Sequence, residues 1–154
     1  MKKQSGLLRR LTALALALCM LAALTAEIFA ADTVASGYCG SEGDGKNPTW
    51  TLDSEDVLTI SGLGKMKDYE NDNKNRAPWY SSRKSLKKLV LKSGITSIGD
   101  YAFFDCSNLT GDLKIPSNVH SIGENAFGYC SGFNGSLTIE NGVVEIKKYA
   151  FYHC

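Results

Sequence analysis

The chain has 154 residues, of which 44% are hydrophobic and 21% charged, a composition that is typical of a globular protein and excludes a disordered one. Its formal net charge is +1 at pH 7. A balance so close to neutrality gives no electrostatic basis for nucleic-acid binding, so we expect no nucleic-acid partner.

Residues 1–30 have the layout of a secretory signal peptide. Four basic residues precede the apolar run Leu11–Ala26, and small residues follow at Ala30 and Ala31, where cleavage is expected. The alternative is an uncleaved membrane anchor, which the short apolar run disfavours. Leu18 stands where a lipoprotein signal needs a small residue before Cys19, so that interpretation is rejected. Cleavage removes four of the 17 basic and one of the 16 acidic residues, which leaves a net charge of about −2 and no predicted membrane span.

Residues 31–36 are predicted to be a linker, and residues 37–88 to be an N-terminal cap. Within the cap, the alternating segments Trp50–Leu52 and Val57–Ile60 flank the acidic turn "DSED" and predict a β-hairpin. A repeat array needs an atypical terminal unit to cover its first coil, and the aromatic residues of "TWTL" and "APWY" fit that role. A separate ligand-binding module is the alternative for this segment.

The loop "KDYENDNKNR" contains an acidic alternation that resembles a calcium loop, at Asp68, Glu70 and Asp72. However, Asn73 stands where such a loop needs glycine, and Trp79 where it needs glutamate. We therefore predict an exposed polar loop and no metal site.

From residue 89 the chain repeats itself with a period of 24. "IGDYAFFDC", "IGENAFGYC" and "IKKYAFYHC" end at Cys106, Cys130 and Cys154, and upstream leucine and isoleucine positions keep the same spacing. Such a repeat predicts a solenoid whose units span residues 89–112, 113–136 and the incomplete 137–154. The segments "LVL", "LKI" and "LTI" alternate at period two, which predicts short strands paired in parallel as one continuous sheet.

The repeated spacing also predicts what individual residues do within each coil. The phenylalanines Phe103, Phe127 and Phe151 should stack as an aromatic spine beside small alanines. The three repeated cysteines are expected to be buried free thiols, with an inter-coil disulfide as the alternative. Four glycines are expected at bends, where a positive φ is useful, namely Gly99, Gly111, Gly123 and Gly135.

The segment "IPSNVHSIGENAFGYC" closely resembles the BspA-type leucine-rich repeat, and the resemblance covers Leu89 to Cys154. It implies a right-handed coil with a parallel β-sheet on one face and short helical or 3₁₀ turns on the other, preceded by the hairpin cap. It also implies a secreted or surface-attached binding protein or adhesin that is not an enzyme and has no cofactor. The sequence contains no CxxC pair, HExxH, GxSxG or phosphate-binding glycine loop, and so predicts no catalytic residue.

Two groups of exposed side chains are candidates for contact with an extracellular protein or glycan. The first is the outward side of the strands, which we call the strand face: Lys88, Val90, Lys92, Asp112, Lys114, Pro116, Ser136, Thr138 and Glu140. The second is a set of aromatic residues that flank the Ala-Phe pairs and either stack on sugars or pack between coils: Tyr101, Phe104, Tyr129, Tyr149 and Tyr152.

Protein recognition or adhesion is the leading hypothesis for function. The alternatives are a structural spacer that presents another domain beyond residue 154, and an extracellular glycan-binding module. Because the last unit lacks six residues of its period, we also expect the sequence to be a fragment or to need another chain to cover its end.

Overall fold

The computed structural model describes residues 31–154, and within them the chain consists of short strands joined by turns. The strands are β1 (Thr33–Tyr38), β2 (Thr49–Asp53), β3 (Val57–Ser61), β4 (Gly64–Lys65), β5 (Lys88–Leu91), β6 (Ile95–Ile98), β7 (Leu113–Ile115), β8 (Ser121–Ile122), β9 (Leu137–Ile139) and β10 (Glu145–Ile146). A single 3₁₀ turn in this part of the chain covers Tyr80–Ser82. The signal peptide predicted at residues 1–30 lies outside the described residues.

The linker predicted at residues 31–36 is wrong, because β1 occupies most of that segment. β1 pairs antiparallel with β2, and its inward residues Ala35 and Gly37 lie opposite Leu52 and Trp50. A Cβ at Gly37 would stand 2.9 Å from Nε1 of Trp50. Small residues are therefore needed where β1 covers these larger side chains.

The predicted hairpin is confirmed as β2 and β3, which pair antiparallel with Trp50 opposite Ile60. The hairpin does more than cover the first coil, because β3 pairs in parallel with β5 and the sheet has the order β1-β2-β3-β5. Residues 31–154 form one compact unit. The cap and the repeats, which the sequence analysis divided between residues 88 and 89, thus share one packed core.

The single continuous sheet predicted along the coils is wrong. β5 pairs with β3, whereas β7 pairs with β9 in a separate parallel sheet, with Lys114 opposite Thr138. The N–H groups that lead into β7 bond to the segment that leads into β9, since Gly111 donates to Asn134 Oδ1 and Leu113 donates to the Ser136 carbonyl. A further parallel sheet that the sequence did not predict runs along another side in the order β10-β8-β6-β4.

The Ala-Phe segments, where short helical or 3₁₀ turns were expected, form isolated turns of the 3₁₀ type but no continuous helix. The N–H groups of Ala102, Phe104 and Cys106 each bond to a carbonyl three residues earlier. The intervening N–H groups, at Tyr101 and Phe103 for example, bond to carbonyls of the next coil, at Glu124 and Ala126. Because every second N–H is used between coils, consecutive 3₁₀ bonds cannot form.

The aromatic spine is confirmed and extends into the cap. Trp79, Phe103, Phe127 and Phe151 stack in that order, with ring centroids 5.6, 5.2 and 5.3 Å apart. Nε1 of Trp79 donates to the Ala102 carbonyl at 2.9 Å. The core of the cap is therefore continuous with the core of the repeats.

The structure also decides the state of the thiols. Cys39, Cys106, Cys130 and Cys154 are free, and the first three are buried, whereas Cys154 is exposed. Sγ of Cys130 donates to the Phe103 carbonyl at 3.0 Å, and Sγ of Cys154 donates to the Phe127 carbonyl at 3.1 Å. The repeated cysteine thus bonds to the preceding coil through its thiol.

Candidate functional site

The structure brings together the part of the strand face that lies along β7 and β9, although Pro116, expected on this face, is buried. Oδ1 of Asp112 accepts hydrogen bonds from the Ser136 N–H at 2.7 Å and the Ser136 hydroxyl at 2.8 Å. Oε1 of Glu140 lies 2.8 Å from Nζ of Lys114, and its Oε2 accepts from the Ser117 N–H at 2.9 Å. Side chains of this part therefore hold neighbouring coils together.

These contacts also set the charge state of the two acids. The Ser136 backbone N–H, followed by its hydroxyl, lowers the pKa of Asp112. The hydrogen bond from Lys114, followed by the Ser117 N–H, lowers the pKa of Glu140. Both carboxylates are ionised at neutral pH, and each is already engaged within the fold.

The other part of the strand face joins the hairpin. Lys88 lies opposite Val57, and Val90 lies opposite Thr59 in the β3–β5 pairing, while the Lys92 N–H donates to the Ile60 carbonyl. β5 and β7 contact one another without a ladder of hydrogen bonds. Lys88 and Lys92 are exposed, and neither has a salt-bridge partner within residues 31–154.

The sequence interpretation missed the outward side of the hairpin, which continues the same surface. Its side chains are mostly hydroxyls: Ser36, Tyr38, Thr49, Thr51, Thr59 and Ser61. A groove of about 310 Å³ runs along β1 and β2, lined by Ser36, Gly37, Tyr38, Thr49, Trp50 and Thr51. The alternation of "TWTLD" and "VLTIS" indicated these outward hydroxyls, but the sequence analysis did not include their polar positions in the strand face.

The aromatic residues beside the Ala-Phe pairs form one connected row, which we call the aromatic ridge. Ring centroids are 5.3 Å apart for Tyr101 and Phe104, 5.4 Å for Phe104 and Tyr129, and 5.5 Å for Tyr129 and Tyr152. The Tyr149 ring lies 5.2 Å from that of Tyr152.

Neighbouring side chains pack against one ring face of each of two exposed tyrosines. His153 stacks on Tyr129 at 5.1 Å, and Nζ of Lys148 lies 4.6 Å above the Tyr149 ring. Stacking on a sugar needs an open ring face, so the arrangement favours packing between coils over sugar binding.

The histidines and thiols are not arranged for nucleophilic chemistry. Nδ1 of His120 lies 3.3 Å from the Gly142 carbonyl, and His153 packs between Tyr129 and Tyr152. Burial raises the pKa of Cys106 to about 12, so its thiol is not ionised at neutral pH.

The acidic loop considered as a calcium site is held by its own backbone. Oδ1 of Asp72 accepts hydrogen bonds from the N–H groups of Lys74 and Asn75, at 2.8 and 2.9 Å. In the part of the chain that the structure describes, no group of three or more His, Cys, Asp or Glu side chains is placed to hold a metal ion. Nor does any helix between residues 31 and 154 have the length and apolar character needed to cross a membrane.

The family profile and one solved structure agree with this architecture. The sequence profile of the family described as "BspA type Leucine rich repeat region" matches residues 77–154. No curated protein sequence matches the chain. A leucine-rich repeat protein from Eubacterium ventriosum is similar over 73% of this chain, with 34% identity and a TM-score of 0.59. A leucine rich cell surface protein from Faecalibacterium prausnitzii is similar over 74% of this chain, with 17% identity and a TM-score of 0.38. The matched regions span only 28% and 46% of those two chains.

Proposed function

The chain belongs to the BspA-type leucine-rich repeat family, and from this premise we propose that it is a non-catalytic recognition protein that binds an extracellular protein through its strand face. Its location is proposed to be extracellular or on the cell surface, which the signal-peptide pattern of residues 1–30 supports. We further propose that its coils wind with the right hand usual for this repeat.

The observation that carries the proposal is the difference between the two candidate surfaces. On the strand face, Lys88 and Lys92 are exposed and have no ion-pair partner within residues 31–154, and the adjoining hairpin adds a row of hydroxyls. On the aromatic ridge, the rings are engaged with one another. The strand face therefore offers two lysines whose ammonium groups are free to bind a partner, and stacked coils expose such surfaces over a long distance.

The test is a binding screen of the purified protein against immobilised extracellular-matrix and serum proteins, with polysaccharides on a parallel surface. For any protein that binds, Lys88→Glu combined with Lys92→Glu should weaken affinity at least about tenfold, the scale of a lost charge-assisted contact. Lys67→Glu combined with Lys74→Glu is the matched control, because it makes the same charge change at exposed residues away from this face.

Three results would contradict the proposal. Equal losses in the two charge-reversed proteins would show that net charge, and not the face, controls binding. Retention by polysaccharides that is lost on Tyr149→Ala would favour a glycan-binding module. Absence of binding to every protein on the screen would favour a structural spacer.

A further inference from the structure

Within residues 31–154, β1 is an edge strand of the β1-β2-β3-β5 sheet, and it lacks most of the features that usually protect such an edge. It pairs with β2 on one side only. Its six residues, "TVASGY", include no charged residue and no proline. Natural edge strands are commonly protected by lysine, proline or a bulge, and here the protection is limited to a register shift between Thr33 and Ala35.

The hydrogen-bond pattern of β1 shows which backbone groups face away from the sheet. The Cys39 N–H donates to the Pro48 carbonyl at 2.9 Å, so Cys39 points its backbone groups toward β2. In an antiparallel pair this direction alternates along the strand. Gly37 therefore also bonds to β2, whereas Ser36 and Tyr38 direct their N–H and carbonyl groups toward the open edge.

The side chains of β1 select one partner for this edge. Val34 and Tyr38 are 61% and 59% exposed, and they stand two residues before and two residues after Ser36, with Val34 at the register shift. If a second β1 pairs antiparallel with Ser36 opposite Ser36, each Val34 lies opposite a Tyr38 of the other copy. Pairs of aromatic and β-branched side chains are among the favourable cross-strand pairs. On the other side of the strand, the small residues Ala35 and Gly37 would oppose each other.

We propose that the protein forms a symmetric dimer in which β1 of one copy pairs antiparallel with β1 of a second copy, centred on Ser36. The two four-stranded sheets then become one sheet of eight strands, with β5 at each outer edge. Directly opposed residues of an antiparallel sheet point to the same side, so the outward hairpin hydroxyls and Lys88 of both copies face the same way. A strand-pair interface is small, and the dimer should form reversibly in the micromolar range.

Sedimentation equilibrium of the full chain tests the proposal. The wild-type protein should shift from monomer to dimer as its concentration rises, and Ser36→Pro should raise the dissociation constant at least tenfold. The variant should still fold, because the Ser36 N–H faces the open edge and no β1–β2 bond uses it. Tyr38→Lys, which leaves the backbone unchanged, should have the same effect. Val144→Lys, at the most exposed apolar residue of the third coil, should not weaken the dimer.

Cross-linking tests the register. In a background with Cys19→Ser and Cys154→Ser, a cysteine introduced by Ser36→Cys should form a disulfide-linked dimer on oxidation. Residues paired across a hydrogen-bonded antiparallel position have Cα atoms about 5.5 Å apart, within the range of a disulfide. Ser54→Cys, in the exposed turn between β2 and β3, should not cross-link.

The proposal is overturned if the wild-type protein stays a monomer at hundreds of micromolar. It is also overturned if Ser36→Pro and Tyr38→Lys dimerise like the wild type, or if Val144→Lys alone abolishes the association. The last result would place the contact on the third coil.

Discussion

At Gly99 and Gly123 the backbone of a neighbouring segment explains the need for glycine. A Cβ at Gly99 would stand 1.9 Å from the Lys67 carbonyl oxygen, and one at Gly123 would stand 2.4 Å from the Asp100 nitrogen. The expectation of positive φ at four glycines is wrong at three of them, since only Gly111 of that set has it, at +79°. The left-handed positions of each coil are instead occupied by other residues, such as Tyr101, Asn125 and Tyr149.

A pair of alanine substitutions separates the two roles of glycine. Gly123→Ala should destabilise the protein by about 2–3 kcal/mol, because the backbone that it would strike cannot move aside as a side chain can. Gly111→Ala should cost only about 1 kcal/mol, since no atom lies within 4 Å of the added carbon and the cost comes from the left-handed backbone. Urea unfolding measures both values, and a larger loss at Gly111 would contradict this explanation.

The thiols should differ sharply in reactivity. Burial raises the pKa of Cys39 and Cys106 to about 12 and also raises that of Cys130, so these buried thiols contain almost no thiolate at about pH 8. Iodoacetamide should therefore modify Cys154 before the three buried cysteines, which should react only after denaturation. Peptide mass spectrometry at successive times measures the order, and early labelling of Cys130 would contradict the packing described here.

At the scale of elements, the short strands explain what the sequence could and could not predict. The hairpin strands were visible because "TWTLD" and "VLTIS" are long enough to show period two. β8 and β10 have two residues each, too few for any period to appear, and so the sheet that they form was missed. β1 was taken for a linker because its inward positions are alanine and glycine, which carry no hydrophobic signal.

The candidate site shows the same limit. The period of 24 placed Lys114 beside Thr138 correctly, because that pairing repeats one coil on the next. It could not place Lys88 and Val90, because their partner β3 lies outside the repeat. Pairing between a repeated strand and a unique one has no sequence period from which it could be inferred.

The aromatic spine should be the most sensitive element to truncation. Phe127→Ala should destabilise the protein by about 3–5 kcal/mol, because the ring is fully buried and stacks on Phe103 on one side and Phe151 on the other. Phe151→Ala should cost distinctly less, since its ring is only partly buried and stacks on one side. Thermal unfolding compares the two, and equal losses would contradict the stacking order.

The ion pairs of Asp105 should make stability depend on pH. Burial alone would raise the pKa of this carboxyl, but hydrogen bonds from Lys84 and Arg83 outweigh it and lower the pKa. Because the folded pKa is depressed, the stabilisation is present above the unfolded value of about 3.9 and is lost as pH falls through the folded pKa. Asp105→Asn should thus be less stable than the wild type at neutral pH, and the difference should vanish toward about pH 2. A difference that does not change with pH would show that the charge is not involved.

At the scale of the whole molecule, the cap and the coils are joined twice, by the β3–β5 pairing and by the stacking of Trp79 on Phe103. A cap that only covered the apolar end of the first coil would be able to unfold before the coils do. Here, loss of the cap would remove the edge partner of β5 and expose the first phenylalanine of the spine. The described residues should therefore unfold as one cooperative unit.

Two spectroscopic signals can check this cooperativity. Both tryptophans of the chain, Trp50 and Trp79, lie before the first coil, so their fluorescence reports on the cap, whereas far-ultraviolet circular dichroism reports on all strands. The two urea midpoints should coincide. Phe127→Ala, which acts in the second coil, should shift the fluorescence midpoint as well. If the fluorescence midpoint of this variant equals that of the wild type, the cap unfolds independently of the coils.

The alternating turns of the Ala-Phe segments have a consequence for how such a gene can change. One N–H of each successive pair bonds within its coil and the other bonds to the next coil. Inserting or deleting a single residue there would turn each downstream N–H that bonds within the coil toward the next coil, and the reverse. Backbone donors and acceptors in the rest of the coil would then lose their partners. We therefore expect the length of the array to change by duplication or loss of whole units, while substitutions accumulate at the outward positions. The three units keep the same spacing of apolar residues but differ at most polar positions, as expected if they arose by duplication followed by substitution.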